Sequence, residues 1–442
     1  MKKIIALLLA CIMVLGLAAC GESNTNTTTA GKSDDATDGG STASGSVYYL
    51  NFKPEFNDAL QELAATYTDK TGVVVKVITA ASGDYSTTLN SQMGKDGAPT
   101  IFNIGNMSGL KDWDSYALDL SGTALAGELT TDGFNLYNEN GELKAIGYCY
   151  ESFGIIVNTK LLGDLGHSRD EITDYASLKA VVEDITSKSA DTGIAAFSSA
   201  GLDGSSSWRF SGHLANMPLY YEFEKNGVTE QPATITGEYL NAYQNIWDLY
   251  INNSTCTGAE LTSKTGDESR AEFMEGKAVF YQNGTWEYAT LIENGMTDDQ
   301  LAMIPIYCGV DGEENAALCS GTENCWAVNS QASEADIKAS LDFLYWLVTD
   351  AEASSVFVQQ LGAVPFKNCP ASTNKFIVDG NALLAEGKYA VTWAFNHTPN
   401  VDSWRATVVT ALAAYSAGTG DWSAVETAFV DGWAYEYNVV NG

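Results

Sequence analysis

From residue 47 onward, the apolar positions switch between a period of two and a period near 3.6. Val47-Tyr48-Tyr49-Leu50 is an unbroken apolar run that reads as a buried strand. Pro54 stands where a helix could begin, and Phe56, Leu60, Leu63, Ala64 and Tyr67 recur at helical spacing until Thr71-Gly72 stops them. The β-branched run Val73 to Ile78 reads as a second strand, Tyr85 to Lys95 as a helix, and Thr100 to Ile104 as a third strand. This order predicts a mostly parallel sheet with helices on both faces. The pattern returns later, with a helix over Ala176 to Ala190 and a strand at Ile194 to Phe197. Helical stretches follow over about 206–224 and 237–253, strands at Leu301 to Ile306 and Trp326 to Val328, and a helical stripe of Ile337, Leu341, Leu344, Tyr345 and Val348. No repeat of solenoid period interrupts this. Residues 47–442 are long for a single core, so two α/β lobes sharing the chain is the simplest arrangement. Trp247, Trp346 and Trp433 fall within helical stripes and are expected in the core.

The N-terminus carries a different pattern. Lys2 and Lys3 precede an apolar run from Ile4 to Ala19, shorter than the roughly 20 residues that span a bilayer. It fits the apolar core of a secretory signal, residues 1–19. The run ends Leu17-Ala18-Ala19-Cys20, the pattern of a bacterial lipoprotein signal, in which Cys20 is lipidated and becomes the first mature residue. Residues 20–46 hold no apolar side chain larger than alanine after Cys20 and are expected to form a flexible tether, about 30 Å from end to end. The lipid is then the only expected anchor, and it places the body on the outer face of the cell membrane.

Charge removes several classes of partner. With 23 Lys and Arg against 56 Asp and Glu, the net charge is −33. Nucleic acid is excluded, because basic side chains must displace counterions from phosphates. Adsorption to anionic lipid is disfavoured on the same ground. Six cysteines lie in the body, at 149, 256, 308, 319, 325 and 369. None shows the CxxC spacing of zinc or redox sites, and Cys319 and Cys325 are close enough in sequence to pair.

Catalytic constellations are scarce. The three histidines, His167, His213 and His397, are far apart, and neither HExxH nor GxSxG occurs. No GxxxxGK[ST] or GxGxxG loop is present, and Asp311-Gly312-Glu313-Glu314 reads as a solvated turn rather than a metal loop. No cofactor, no metal and no catalytic residue is expected. The surviving enzymatic reading is a surface glycosidase, which needs two carboxylates beside a sugar, and with 56 acidic residues such pairs arise by chance.

Several stretches resemble the extracellular solute-binding lipoproteins of carbohydrate ABC importers, the family that includes maltose-binding protein. Leu50-Asn51-Phe52-Lys53-Pro54-Glu55-Phe56 with the following helix and Thr71 to Val75 looks like the family's first β-α-β. Ala98 to Asn103 is similar to its third strand, although Thr100 replaces the usual acid, and Tyr148 to Leu162 to its segment crossing between lobes. The most specific match is Phe273 to Trp286 (FMEGKAVFYQNGTW), similar to the family's F-x-x-G-K-A-A-M-x-x-x-G-x-W. Gly321 to Asn329, the helix around Ala339 to Val348, and Leu361 to Pro365 complete the series in order. The resemblance implies a two-lobe periplasmic-binding-protein-like fold of type II, with ligand in an interlobe cleft that closes by a hinge. Lobe 1 is expected to comprise residues 47–149 plus 306–353, and lobe 2 residues 150–305 plus 354–442. The chain is expected to cross near Cys149, near Ile304 to Cys308, and near residues 350–355.

Sugar sites combine aromatic platforms for C–H faces with carboxylates, amides and arginines for hydroxyls. On the resemblance, Trp286 is the expected platform, Asn283 a hydroxyl partner, Glu151 a carboxylate at the crossing, and Trp404 with Arg405 an aromatic arm over the ligand. Asn51 and Glu55 after the first strand, and Asn103 and Asn106 after the third, stand where parallel sheets present ligands. The other reading of the asparagines is turn capping. Glu323 and Trp326 beside Gly321, then Trp208 and Tyr85, complete the candidates. The expected partners are a carbohydrate, most simply an oligosaccharide, and a membrane permease, with the binding protein itself a monomer. Within the same fold, the alternatives are a polyamine, peptide or anion ligand.

Overall fold

The computed structural model describes residues 45–80, 82–199 and 201–442. The expected signal segment, the lipidation site Cys20 and the tether up to residue 44 lie outside the described residues. Among the described residues, twelve strands form two six-stranded sheets. β1 (Val47–Asn51), β2 (Val75–Thr79), β3 (Ile101–Asn103), β4 (Leu136–Tyr137), β5 (Leu143–Gly147) and β11 (Cys325–Val328) build the first, in the order β2-β1-β3-β11-β5-β4. β6 (Glu151–Asn158), β7 (Ala195–Phe197), β8 (Ala278–Gly284), β9 (Leu301–Ile304), β10 (Ala316–Gly321) and β12 (Tyr389–Thr392) build the second, in the order β12-β10-β6-β8-β7, with β9 also on β6.

Each sheet is covered on both faces, which is why its strands read as apolar runs rather than as alternation. In β1, Val47 and Tyr49 face the helices Asn57–Thr71, Glu334–Thr349 and Ala351–Leu361 through Leu60, Phe343 and Phe357. Leu50 faces the other way, toward Tyr85, Leu89 and Phe102. The first helix ends on Gly72, whose φ of 76° supplies the left-handed cap. In β6, Phe153, Ile155 and Val157 enter the larger core with Phe210, Trp247 and Trp404, while Ile156 packs with Phe273, Tyr281 and Phe376 on the opposite face.

The sheets are mixed. β1, β2 and β3 are parallel as the β-α-β order requires, but β11 returns antiparallel between β3 and β5. β6 likewise runs antiparallel to β8, β9 and β10. The chain leaves the first sheet after β5 and enters the second at Glu151, close to the crossing expected at Cys149. The other two expected crossings need correction. Ile306, Tyr307 and Cys308 stay in the second core, and β9 and β10 both pair with β6. The return therefore comes at Thr322–Asn324, between β10 and β11. The helix Ala351–Leu361 and Phe366 belong to the first core, whereas Phe376 in the helix Lys375–Ala385 belongs to the second. The last crossing thus falls after Phe366, not at 350–355. A β-strand pattern cannot reveal this, since the apolar runs at 301–306 and 326–328 look alike until their partners are known. Cys319 and Cys325 lie in different sheets and do not form the disulfide their spacing allowed.

Candidate functional site

The turn after β1, the two short crossings and the strand ends of β8, β10 and β12 converge on one cavity of about 470 Å³. This size falls within the usual range for small-ligand sites. From the first lobe it is lined by Phe52, Lys53, Pro54 and Glu55; from the crossings by Glu151, Glu323 and Asn324. From the second it is lined by Ser205, Trp208, His213, Asp267, Arg270, Trp286, Glu287, Thr290, Trp393, Phe395 and Arg405.

Glycines make the aromatic wall possible. Trp286 folds back over Gly284, where a Cβ would stand 2.5 Å from its Cζ2. Trp393 covers Gly321 in the same manner, with Cγ 2.5 Å from where a Cβ would be, and its Nε1 donates to the Cys319 carbonyl at 3.1 Å. Trp208 is held by its Nε1–H donating to the Ser205 carbonyl, and its ring lies 6.0 Å from that of Trp286. Behind them, His213 stacks on Phe153 at 3.8 Å and 10°. His213 is carried by a widened turn, the π-helix Arg209–Leu214, and Trp208 immediately precedes it at the N-cap. Pro218 lies just beyond in the helix Ala215–Asn226 and has no N–H to give to the Leu214 carbonyl, a local reason for the widening.

His213 has a definite protonation state. Gln282 donates from Nε2 to the Gly154 carbonyl, which fixes the amide, and from the same atom to His213 Nδ1 at 2.8 Å. Nδ1 therefore accepts, and the proton sits on Nε2. Burial, with Arg209 and Arg405 nearby, holds its pKa well below the ordinary histidine value, so the ring is neutral.

The polar groups form two fixed clusters and one loose one. Lys53 Nζ bonds Glu151 at 2.6 Å and Glu55 at 2.7 Å, with Lys53 and Glu151 both buried. Burial opposes the ammonium charge, but the two carboxylates hold its pKa above the ordinary lysine value. The other Glu151 oxygen accepts from Asn324 Nδ2 at 2.7 Å. Arg270 forks onto Glu287 through Nε at 2.6 Å and Nη2 at 3.0 Å, and reaches Asp267 at 2.9 Å. The loose group is Glu323, Asn324 Oδ1 and Arg405. Glu323 has no side-chain hydrogen bond within the protein among the described residues, and burial raises its pKa against the pull of Arg405. Asn324 Oδ1 is buried and without a partner, as is Arg405 Nε, whose guanidinium stands 5.1 Å over the Phe395 ring.

Of the residues singled out in the sequence, Glu55, Glu151, Trp208, Trp286, Glu323 and Arg405 meet in this cavity. The others do not line it. Trp404 is fully buried against Phe429 and Trp433 and donates to the Phe429 carbonyl. Trp326 is fully buried, stacked on Tyr148, and donates to Tyr49. Asn283 turns into its own strand, donating to Tyr281 and accepting from the Gly284 N–H. The remaining four act on the wall from behind. Asn51 clamps the backbone of Lys53 through both side-chain atoms. Asn103 donates to the Glu323 carbonyl and accepts from the Cys325 N–H, and so holds the crossing. Asn106 caps the helix Met107–Trp113. Tyr85 bonds Leu50 and Asn103 and supports Phe52 edge-on. Lys53, His213, Arg270, Glu287, Asn324, Trp393 and Phe395 were not foreseen. Asn324 adjoins the foreseen Glu323 and Lys53 lies between the foreseen Asn51 and Glu55, while the aromatic pair Trp393 and Phe395 after β12 is a signal that could have revealed that part of the wall.

Two mixed α/β lobes around such a cleft define a type II solute-binding fold. The family model for bacterial extracellular solute-binding proteins matches residues 62–382, so the chain belongs to that family and is extracytoplasmic. No curated protein sequence gives a significant match. Among solved structures, RafE in complex with raffinose is similar at 15% identity and a TM-score of 0.70, covering 90% of this chain and 100% of that one. A sugar transporter protein from Bacillus licheniformis in complex with stachyose gives 15% and 0.68, covering 88% and 99%. The GacH receptor of Streptomyces glaucescens, studied unliganded and with acarbose, gives 18% and 0.66, covering 89% and 99%.

Proposed function

We propose that this protein captures a carbohydrate, most simply an oligosaccharide, in the interlobe cleft by hinge closure and hands it to the permease of an ABC importer. The observation that carries this reading is the aromatic wall of Trp208, Trp286, Trp393 and Phe395 facing carboxylate, amide and guanidinium groups. Flat apolar rings opposite hydrogen-bonding side chains match the two kinds of surface a pyranose presents. The relatives crystallised with raffinose, stachyose and acarbose support the same ligand class. No chemistry is assigned to the cleft, where Glu151 and Glu287 are engaged by Lys53 and Arg270. Lipidation at Cys20 and the tether behind it would keep a monomeric body close to the permease.

The test is a glycan array probed with the labelled body. Binding to saccharide spots that disappears with Trp286→Ala, while the variant melts normally, is the expected outcome. An array silent to the native protein would remove the carbohydrate reading.

A further inference from the structure

Among the charged groups of the cavity, two of the three cations are spent on carboxylates and two acceptors remain. Lys53 and Arg270 are each engaged by two carboxylates at 3 Å or less, namely Glu151 and Glu55, and Glu287 and Asp267. The third cation, Arg405, stands 5.1 Å over the Phe395 ring, makes no ion pair with Glu323 and keeps a buried Nε without a partner, so among the described residues of the lining it is the one cation still open to a ligand. Against these three stand five carboxylates, so the lining is net negative. The groups left without a protein partner at the crossing are mainly acceptors. They are the Glu323 carboxylate and Asn324 Oδ1, the latter on a side chain only 1% exposed. An unpartnered buried acceptor is costly, and a ligand that donates to it recovers that cost.

From this we infer that Glu323 and Asn324 determine specificity: the cleft takes saccharides that donate hydrogen bonds at this end, and rejects those bearing a carboxylate. Neutral sugars and amino sugars satisfy the requirement; uronates and other acidic sugars do not. The inference rests on the carbohydrate reading above and narrows its substrate class. An acidic sugar would bring a third party to a site where Glu323 already competes for Arg405, and would bury one more negative charge among five. Such juxtaposition weakens binding roughly a hundredfold.

The experiment is calorimetric titration of the exported chain with neutral xylo-, cello- and malto-oligosaccharides, raffinose and stachyose. Chitosan oligosaccharides are the amino set, and oligogalacturonates and oligomannuronates the acidic set. The expected result is measurable affinity within the neutral or amino sets and at least a hundredfold weaker binding throughout the acidic set. Glu323→Gln should then narrow that gap at least tenfold while leaving the fold intact. Acidic saccharides binding as well as neutral ones, or Glu323→Gln leaving the gap unchanged, would overturn the inference while the carbohydrate reading stands. If no saccharide of any charge binds, the carbohydrate reading itself falls, and this inference with it.

Discussion

Gly284 offers a perturbation that reaches the cleft without altering any group in it. The residue closes strand β8 with a φ outside the left-handed region, so alanine is conformationally acceptable there. Its Cβ, however, would stand 2.5 Å from Trp286 Cζ2 and closer still to two neighbouring ring atoms. Ordinary contact begins near 3.4 Å, so the indole must retreat by about 1 Å or more into the cavity. Overpacking of this kind costs about 1–3 kcal/mol. A displaced platform should also weaken ligand binding by about 2 kcal/mol, close to thirtyfold, as for other buried aromatic anchors. Thermal denaturation and titration calorimetry on Gly284→Ala, Trp286→Ala and the double variant give a complete cycle. With the ring absent, the three nearest neighbours of the extra methyl are gone, so the two substitutions should couple by about 1 kcal/mol or more in stability. Strict additivity, or a silent Gly284→Ala, would refute the placement of Trp286 over Gly284 and the wall built on it.

Three further outcomes follow from the same geometry. Lys53→Met leaves Glu55 and Glu151 facing each other without their cation and should destabilise by about 3–5 kcal/mol in chemical denaturation, with much of the loss recovered in Lys53→Met/Glu151→Gln. Trp404→Ala should cost about 3–5 kcal/mol in stability by opening the core, yet leave the affinity of the folded fraction within about threefold of native, whereas Trp286→Ala should do the reverse. His167 bonds Asp184 at 2.7 Å and Glu171 at 3.2 Å, and chiefly the Asp184 bond raises its pKa above 6.5. A raised histidine adds stability that is complete below its unfolded pKa and fades as the pH climbs through the folded value. His167→Gln should therefore lower the melting temperature at about pH 5.5 and change it little at about pH 8.5; an equal loss at both would show that the ring contributes by packing alone.

Much of the architecture could be read from apolar periodicity, because strands buried on both faces and helices with one apolar stripe leave different marks. Lobe membership could not. Residues 306–321 and 351–366 look the same whichever sheet receives them, and only pairing with β6 or packing on Phe357 decides. The site was half legible for a related reason. Strand ends drew attention to Asn51 and Asn103, yet an asparagine at a strand end serves the turn as readily as a ligand, and here both hold backbone that presents Lys53 and Glu323. Trp404 and Arg405 are neighbours on a helix and point about 100° apart, so one faces the core and the other the cleft. Trp404, Val408 and Leu412 share a spacing of four, a core stripe that the expectation of an arm over the ligand did not weigh. Nothing local marked His213 or Arg270, whose positions depend on a widened turn and on an ion pair made across seventeen residues.

The most direct test of the central claim is a thermal-shift screen of the protein against mono- and oligosaccharides, with spermidine, peptides and inorganic anions alongside. A ligand at 100 times its dissociation constant stabilises the folded state by about 2.7 kcal/mol, which is readily seen as a rise in melting temperature. A rise with one class of non-acidic saccharide, lost in Trp286→Ala, is the expected outcome. A rise with spermidine, a peptide or an anion, and none with any sugar, would contradict the carbohydrate reading.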